Sequence, residues 1–162
     1  MTAANDTATR DMATDQATGQ ATEGASREQQ QQRRQAALVL VSHSEQLATG
    51  LQALIKEMAT DVTVLTAAGD GEGGLGTQVD AIEEAIRATE AAHVLLFFDL
   101  GSALMNAEMA TEMLAGEAVD VTIVDAPLVE GAFAAAMALQ TGRDAEEAVR
   151  AAEKARREPK VL

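Results

Sequence analysis

The chain has 162 residues, enough for one ordinary domain with or without a tail, and carries 12 Lys and Arg against 26 Asp and Glu, a net charge of −14. With no cysteine it has no disulfide, thiol nucleophile or Cys-ligated metal site, and its two histidines, His43 and His93, argue against a multi-His metal site. Such acidity disfavours nucleic acid and anionic membranes as partners, and no apolar run approaches the roughly 20 residues of a membrane span. No signal-peptide core is visible, so a cytoplasmic protein is expected.

Residues 1–35 contain no Leu, Ile, Val or Phe and end near the run Gln29-Gln30-Gln31-Gln32. They cannot bury enough apolar surface to offset their ordering entropy, which predicts a disordered polar tail, or a frayed helix near its end. The folded domain is expected over 36–162. Four short apolar runs punctuate it: Leu38-Val39-Leu40-Val41, Val62-Thr63-Val64-Leu65, Val94 to Phe98, and Val119 to Val124. Runs this continuously apolar predict parallel strands covered on both faces.

Helical periodicity fills the intervals. Residues 45–59 set Leu47, Leu51, Leu54, Ile55 and Met58 on one face, and residues 78–91 do the same with Val79, Ile82 and Ile86. Residues 102–115 carry a stripe containing Leu104, Met105, Met109, Met113 and Leu114. The Met105/Met109/Met113 stripe reads as core packing, or as a dimer or docking face, since Met suits adaptable surfaces. Residues 128–140 are Ala-rich with Phe133 and Met137 inward, and a last helix starts at Asp144 with a capping box to Glu147. The expected fold is α/β: an open, doubly wound, mostly parallel sheet flanked by helices.

Ligands of such sheets bind beyond the carboxyl ends of the strands. His43 lies there, in Val41-Ser42-His43-Ser44, whereas His93 starts the third strand, about 20 Å away for a strand of six residues. His93 therefore reads as a surface or strand-cap residue. His43 precedes a helix N-terminus, where free N–H groups and the hydroxyls of Ser42 and Ser44 would cradle a phosphoryl group on the imidazole. The plainer alternative makes Ser44 an N-cap and His43 a solvated loop residue. Asp99 ends the third strand. If that strand lies beside the first, its carboxylate reaches His43 and fixes the ring tautomer; otherwise it is a strand-end cap. Gly101 and Ser102 open the next helix, as a second anion-binding terminus or a tight turn. The glycine-rich segment from Gly69 to Thr77 lacks the lysine of a P-loop and reads as a flexible loop that contacts a partner.

Five segments in order carry a family resemblance: Leu38 to Ser44, Ala67-Ala68-Gly69, Leu75-Gly76-Thr77, Asp99-Leu100-Gly101-Ser102-Ala103-Leu104, and Ala126-Pro127-Leu128-Val129-Glu130-Gly131-Ala132. Together they resemble the phosphotransferase subunit of phosphoenolpyruvate-dependent dihydroxyacetone kinase, of the mannose-class EIIA fold, over about residues 37–155. The resemblance implies that His43 is transiently phosphorylated by the carrier HPr, itself charged by enzyme I. The acceptor it implies is ADP held on the nucleotide-binding kinase subunit, with dihydroxyacetone on a third. It also implies a homodimer that needs no metal or nucleotide of its own. Some relatives add HPr-like and enzyme I-like domains; with the chain ending at Leu162, a separate HPr is expected. The rival from the same fold is a mannose-class sugar-transport EIIA domain, which usually has Gly after the histidine and a Gly-Gly-Ser-Pro-like segment after the Asp, where this chain has Ser44 and Gly101-Ser102-Ala103. A non-catalytic regulatory module is a further alternative. A phosphoaspartate receiver is disfavoured because Lys56, Lys154 and Lys160 avoid the strand ends.

Overall fold

The computed structural model describes residues 36–161, so the polar segment 1–35 read as a tail lies outside the described residues. Four strands, β1 (Ala36–Ser42), β2 (Val64–Ala68), β3 (His93–Phe98) and β4 (Asp120–Ile123), alternate with five helices. The helices are α1 (Glu45–Met58), α2 (Val79–Ala88), α3 (Gly101–Met113), α4 (Leu128–Gln140) and α5 (Ala145–Lys154). The sheet order is β2-β1-β3-β4, and every pairing is parallel.

Alternation along β1 explains the two layers. Leu38 and Leu40 point into one apolar cluster with Leu51 and Ile55 of α1 and Ala132, Ala135 and Ala136 of α4. Val39 and Val41 point into another with Ile82 and Ile86 of α2 and Ala103, Ala107 and Ala110 of α3. Helices therefore cover both faces, the condition that lets a strand be apolar on each side. Fully burying side chains such as Leu38, Leu95 or Phe97 stabilises the domain by about 1.5–3 kcal/mol each.

Local signals set the helix ends. Ser44 caps α1, its hydroxyl oxygen accepting from the Leu47 N–H. Asp144 and Glu147 form the expected capping box on α5. Alanines dominate the buried surfaces of α4 and α5, so these two helices approach closely. At Gly131 a Cβ would lie 2.7 Å from the Ala126 Cβ, so α4 can sit this near the preceding loop only without a side chain there.

Three packing expectations are corrected. In α1 the buried residues are Ala48, Leu51 and Ile55, while Leu47, Leu54 and Met58 are exposed. In α3 the sheet is met by Ala103, Ala107, Ala110 and Leu114, and Met105, Met109 and Met113 stand outside, 67%, 53% and 60% exposed. The methionine stripe is therefore not core: the alanine stripe on the opposite side has the same period and allows a closer approach to the strands. β2 begins at Val64, two residues later than the apolar run suggested: Val62 is buried in the same cluster but lies in the turn that precedes the strand.

Candidate active site

The chain runs from β1 outward to β2, then crosses back to β3 on the other side of β1. This reversal opens a crevice between the carboxyl ends of β1 and β3, the location where open parallel sheets bind ligands. His43 follows β1 and Asp99 follows β3, in register through Val41 opposite Phe98.

The two residues meet. His43 Nδ1 lies 2.9 Å from Asp99 Oδ1, and the backbone N–H of His43 donates to Asp99 Oδ2 at 2.9 Å. The Ser42 hydroxyl also donates to Oδ2, at 2.9 Å, and the Leu100 N–H to Oδ1, at 2.7 Å. On the far side of the ring, Nε2 lies 2.7 Å from the Ser102 hydroxyl at the start of α3. With Nδ1–H donating to the carboxylate, Nε2 carries the lone pair and accepts from Ser102. The His43 side chain is 25% exposed, so a reacting group can approach Nε2 from solvent. Burial works to raise the Asp99 pKa, but the hydrogen bonds from the His43 N–H, the His43 ring, Ser42 and Leu100 outweigh it and hold the carboxyl below its ordinary value.

Two serines expected in a phosphate cradle sit elsewhere. Ser42 ends β1 fully buried, its hydroxyl donating to Asp99 and accepting from the Ser44 N–H at 3.1 Å. Ser44 acts as the cap of α1, and its amide is engaged by Ser42. Ser42 is turned inward at the strand end and serves the frame around Asp99, and Ser44 is tied to that frame only through its N–H on the Ser42 hydroxyl. Gly101 and Ser102 are exposed at the first positions of α3, where their N–H groups have no carbonyl four residues back. Ser102 stands beside Nε2.

His93 lies at the opposite edge of the sheet, its Nε2 3.1 Å from the Thr122 hydroxyl and its Nδ1 3.4 Å from Asp120. It takes no part in the crevice. The glycine-rich loop, read from sequence as flexible, is fastened to the site. Asp70 Oδ1 accepts from the N–H groups of Glu72 and Gly74 at 2.9 and 2.7 Å, and the Gly76 N–H donates to the His43 carbonyl at 3.0 Å. At Gly74 a Cβ would lie 2.3 Å from Asp70 Oδ2, so this knot needs glycine there. Asn106, which sequence reasoning passed over, donates to the Thr77 carbonyl and hydroxyl at 3.2 and 2.6 Å. Its one sequence-level signal is the spacing of four from Ser102, which places both on one face of α3. Among the described residues no cluster of three or more potential metal-ligating His, Cys, Asp or Glu side chains occurs, and no helix is long and apolar enough to cross a membrane.

Comparison with known proteins shows the family. The chain is 42% identical over 105 residues to the phosphotransferase subunit DhaM of a PTS-dependent dihydroxyacetone kinase from Lactococcus lactis subsp. lactis, covering 65% of this chain and 83% of that protein. It is 47% identical over 103 residues to DhaM, the phosphoryl donor subunit of PEP-dependent dihydroxyacetone kinase 2 from Listeria innocua serovar 6a, covering 62% and 82%. Among solved structures it resembles the unknown-function protein EF1359 with a TM-score of 0.71 at 32% identity, over 79% of this chain and 98% of that one. The family model EIIA-man, described as the PTS system fructose IIA component, matches residues 37–149. That span holds β3, nearly all of β1 and the crevice between their ends, and the chain belongs to the EIIA-man family.

Proposed function

We propose that this chain is the phosphoryl donor subunit of a phosphoenolpyruvate-dependent dihydroxyacetone kinase, a phosphotransferase working through a phosphohistidine at His43. The names of the Lactococcus and Listeria relatives support the assignment. One observation carries the chemistry: Asp99 holds Nδ1 while Nε2 faces Ser102 and solvent.

In the first step the Nε2 lone pair attacks the phosphorus of phospho-HPr. The Nε2–P bond forms as the donor's N–P bond breaks, and the donor imidazole keeps that electron pair. The proton on Nδ1 stays in place, and Asp99 offsets the positive charge that grows on the ring. The Ser102 hydroxyl rotates from the lone pair to a phosphoryl oxygen, and the Gly101 and Ser102 N–H groups at the head of α3 stabilise the others. In the second step a β-phosphate oxygen of ADP, held on the nucleotide-binding kinase subunit, attacks the same phosphorus, and the pair returns to Nε2. This chain then needs no metal or nucleotide of its own, and its work is done in the cytoplasm among soluble partners. A homodimer is supported by the exposed methionine face of α3 and by β4, whose neighbour in the described sheet is β3 alone.

A second reading is favoured by the family description, which names a sugar component. There the acceptor is a transporter's EIIB domain, and the His43 chemistry is unchanged.

Intact-mass spectrometry after incubation with phosphoenolpyruvate, enzyme I and HPr tests the relay. Wild type gains one acid-labile phosphoryl group and His43→Ala gains none. Charged HPr with no adduct on wild type overturns it in favour of a regulatory module. Loss of the adduct to ADP with the kinase subunit, against loss to an EIIB domain, separates the two acceptors.

A further inference from the structure

The glycine-rich loop touches the site from a side that the transfer chemistry does not use. Its first link is Gly69, whose N–H donates to the Ser42 carbonyl at 3.2 Å, and its second is the Gly76 N–H on the His43 carbonyl. Within the loop, Asp70 gathers the N–H groups of Glu72 and Gly74, and Gln78 Nε2 donates to the Asp70 carbonyl at 2.7 Å. Its far end is held by Asn106, whose amide reaches both the carbonyl and the hydroxyl of Thr77.

These links close a ring. From His43 it runs through Nε2 to Ser102, along one turn of α3 to Asn106, across to Thr77, and back through Gly76 to the His43 carbonyl. Asp99 holds the N–H of His43 and Gly76 holds its carbonyl, so the backbone on both sides of the imidazole is anchored. Asn106 is half-buried and has no contact with the reacting nitrogen. Its amide is the one side-chain link, among the described residues, between this loop and α3.

We propose that the Asn106–Thr77 pair is a positioning clamp for phosphoryl transfer. It holds the glycine-rich loop on α3, so that Gly76 fixes the His43 backbone and Nε2 keeps its distance and angle to Ser102. The proposal rests on the phosphoryl-carrier reading for its kinetic part and on geometry alone for its structural part. Reactions that depend on a near-attack arrangement lose rate when a reacting atom wanders by about 1 Å, whereas the docking of a partner protein does not depend on that distance. Cutting the clamp should therefore slow transfer without weakening the encounter.

The test uses the full chain with phospho-HPr as donor in single-turnover quench-flow, alongside amide hydrogen exchange read by NMR at Gly76. Asn106→Ala is expected to lower the transfer rate constant at saturating donor by about tenfold, with the half-saturating donor concentration within about twofold of wild type. The Gly76 N–H is expected to lose protection in the same variant. Thr77→Val, which removes the hydroxyl acceptor, should show both effects more weakly, and Thr77→Ser, which keeps it, should restore wild-type behaviour. That pair also decides the matter if Asn106→Ala fails to fold. An unchanged rate in Asn106→Ala and Thr77→Val, or a slowed rate with full Gly76 protection, overturns the clamp. A wild-type chain that takes no phosphoryl group at all overturns the carrier reading instead, and the exchange at Gly76 then still accepts or rejects the hydrogen-bond ring.

Discussion

Replacing Asp99 by Asn changes one atom of the carboxyl group and tests the whole crevice. The carboxylate accepts four hydrogen bonds, two on each oxygen: Ser42 and the His43 N–H on Oδ2, His43 Nδ1 and the Leu100 N–H on Oδ1. An asparagine offers one oxygen and one NH2 group, so whichever way it turns, its NH2 faces two donors. With the NH2 toward the ring, Nδ1 must become the acceptor and the proton moves to Nε2, which removes the nucleophile's lone pair. With it toward the backbone, the His43 N–H is left facing another donor in a partly buried site. Two charge-assisted bonds are lost either way. At about 1.5 kcal/mol each, the low end because the side chain retains some exposure, the folding stability should fall by about 3 kcal/mol. The rate of phosphorylation by phospho-HPr should fall by at least about 10²-fold, and by as much as about 10⁴-fold if the imidazole is held entirely in the wrong tautomer. Urea unfolding and quench-flow read the two quantities. The pH dependence adds a check with a definite sign. Because the Asp99 carboxyl sits below its ordinary value when folded, its stabilisation is present above about pH 4 and is lost as pH falls through the depressed folded value. The gap between wild type and Asp99→Asn should close over that acid range. An Asn variant that phosphorylates within about threefold of wild type, or a stability gap that does not narrow in acid, would refute the assigned tautomer and its partner.

Other expectations follow from the same contacts. Ser42→Ala removes a buried donor to Asp99 and the acceptor for the Ser44 N–H, so thermal or urea unfolding should show a loss of about 1–2 kcal/mol. Ser102→Ala, at an exposed helix start, should leave stability within about 0.5 kcal/mol while slowing phosphorylation about tenfold; equal effects of the two serine variants on stability would contradict their different placement. In Gly131→Ala the new methyl meets Ala126 at 2.7 Å, and overpacking should cost about 1–3 kcal/mol in equilibrium unfolding. Met109→Glu should change stability by no more than about 0.5 kcal/mol, since the side chain is exposed, yet shift sedimentation from dimer to monomer if the α3 face joins two copies.

Much of this protein can be read from its residues in order. Unbroken apolar runs such as Leu38 to Val41 and Val94 to Phe98 mark strands buried on both sides, and that alone implies a parallel sheet with helices above and below. Ser44 and the Asp144–Glu147 pair announce their helix starts, because capping is a local matter of unsatisfied N–H groups. The rule that ligands sit beyond the carboxyl ends of parallel strands separates His43 from His93 and brings Asp99 to the same edge as His43. Periodicity, however, names a stripe without saying which way it faces. In α3 the alanines at 103, 107 and 110 and the methionines at 105, 109 and 113 are both helical stripes, and packing distance to the sheet chose the smaller side chains. Nor could order along the chain tell that Ser42 would turn inward to Asp99 while Ser102 turned to Nε2, or that a glycine loop beginning 26 residues after His43 would return to hold its carbonyl. Those contacts join segments far apart in sequence, and their geometry exists only once β1, β3 and α3 have packed.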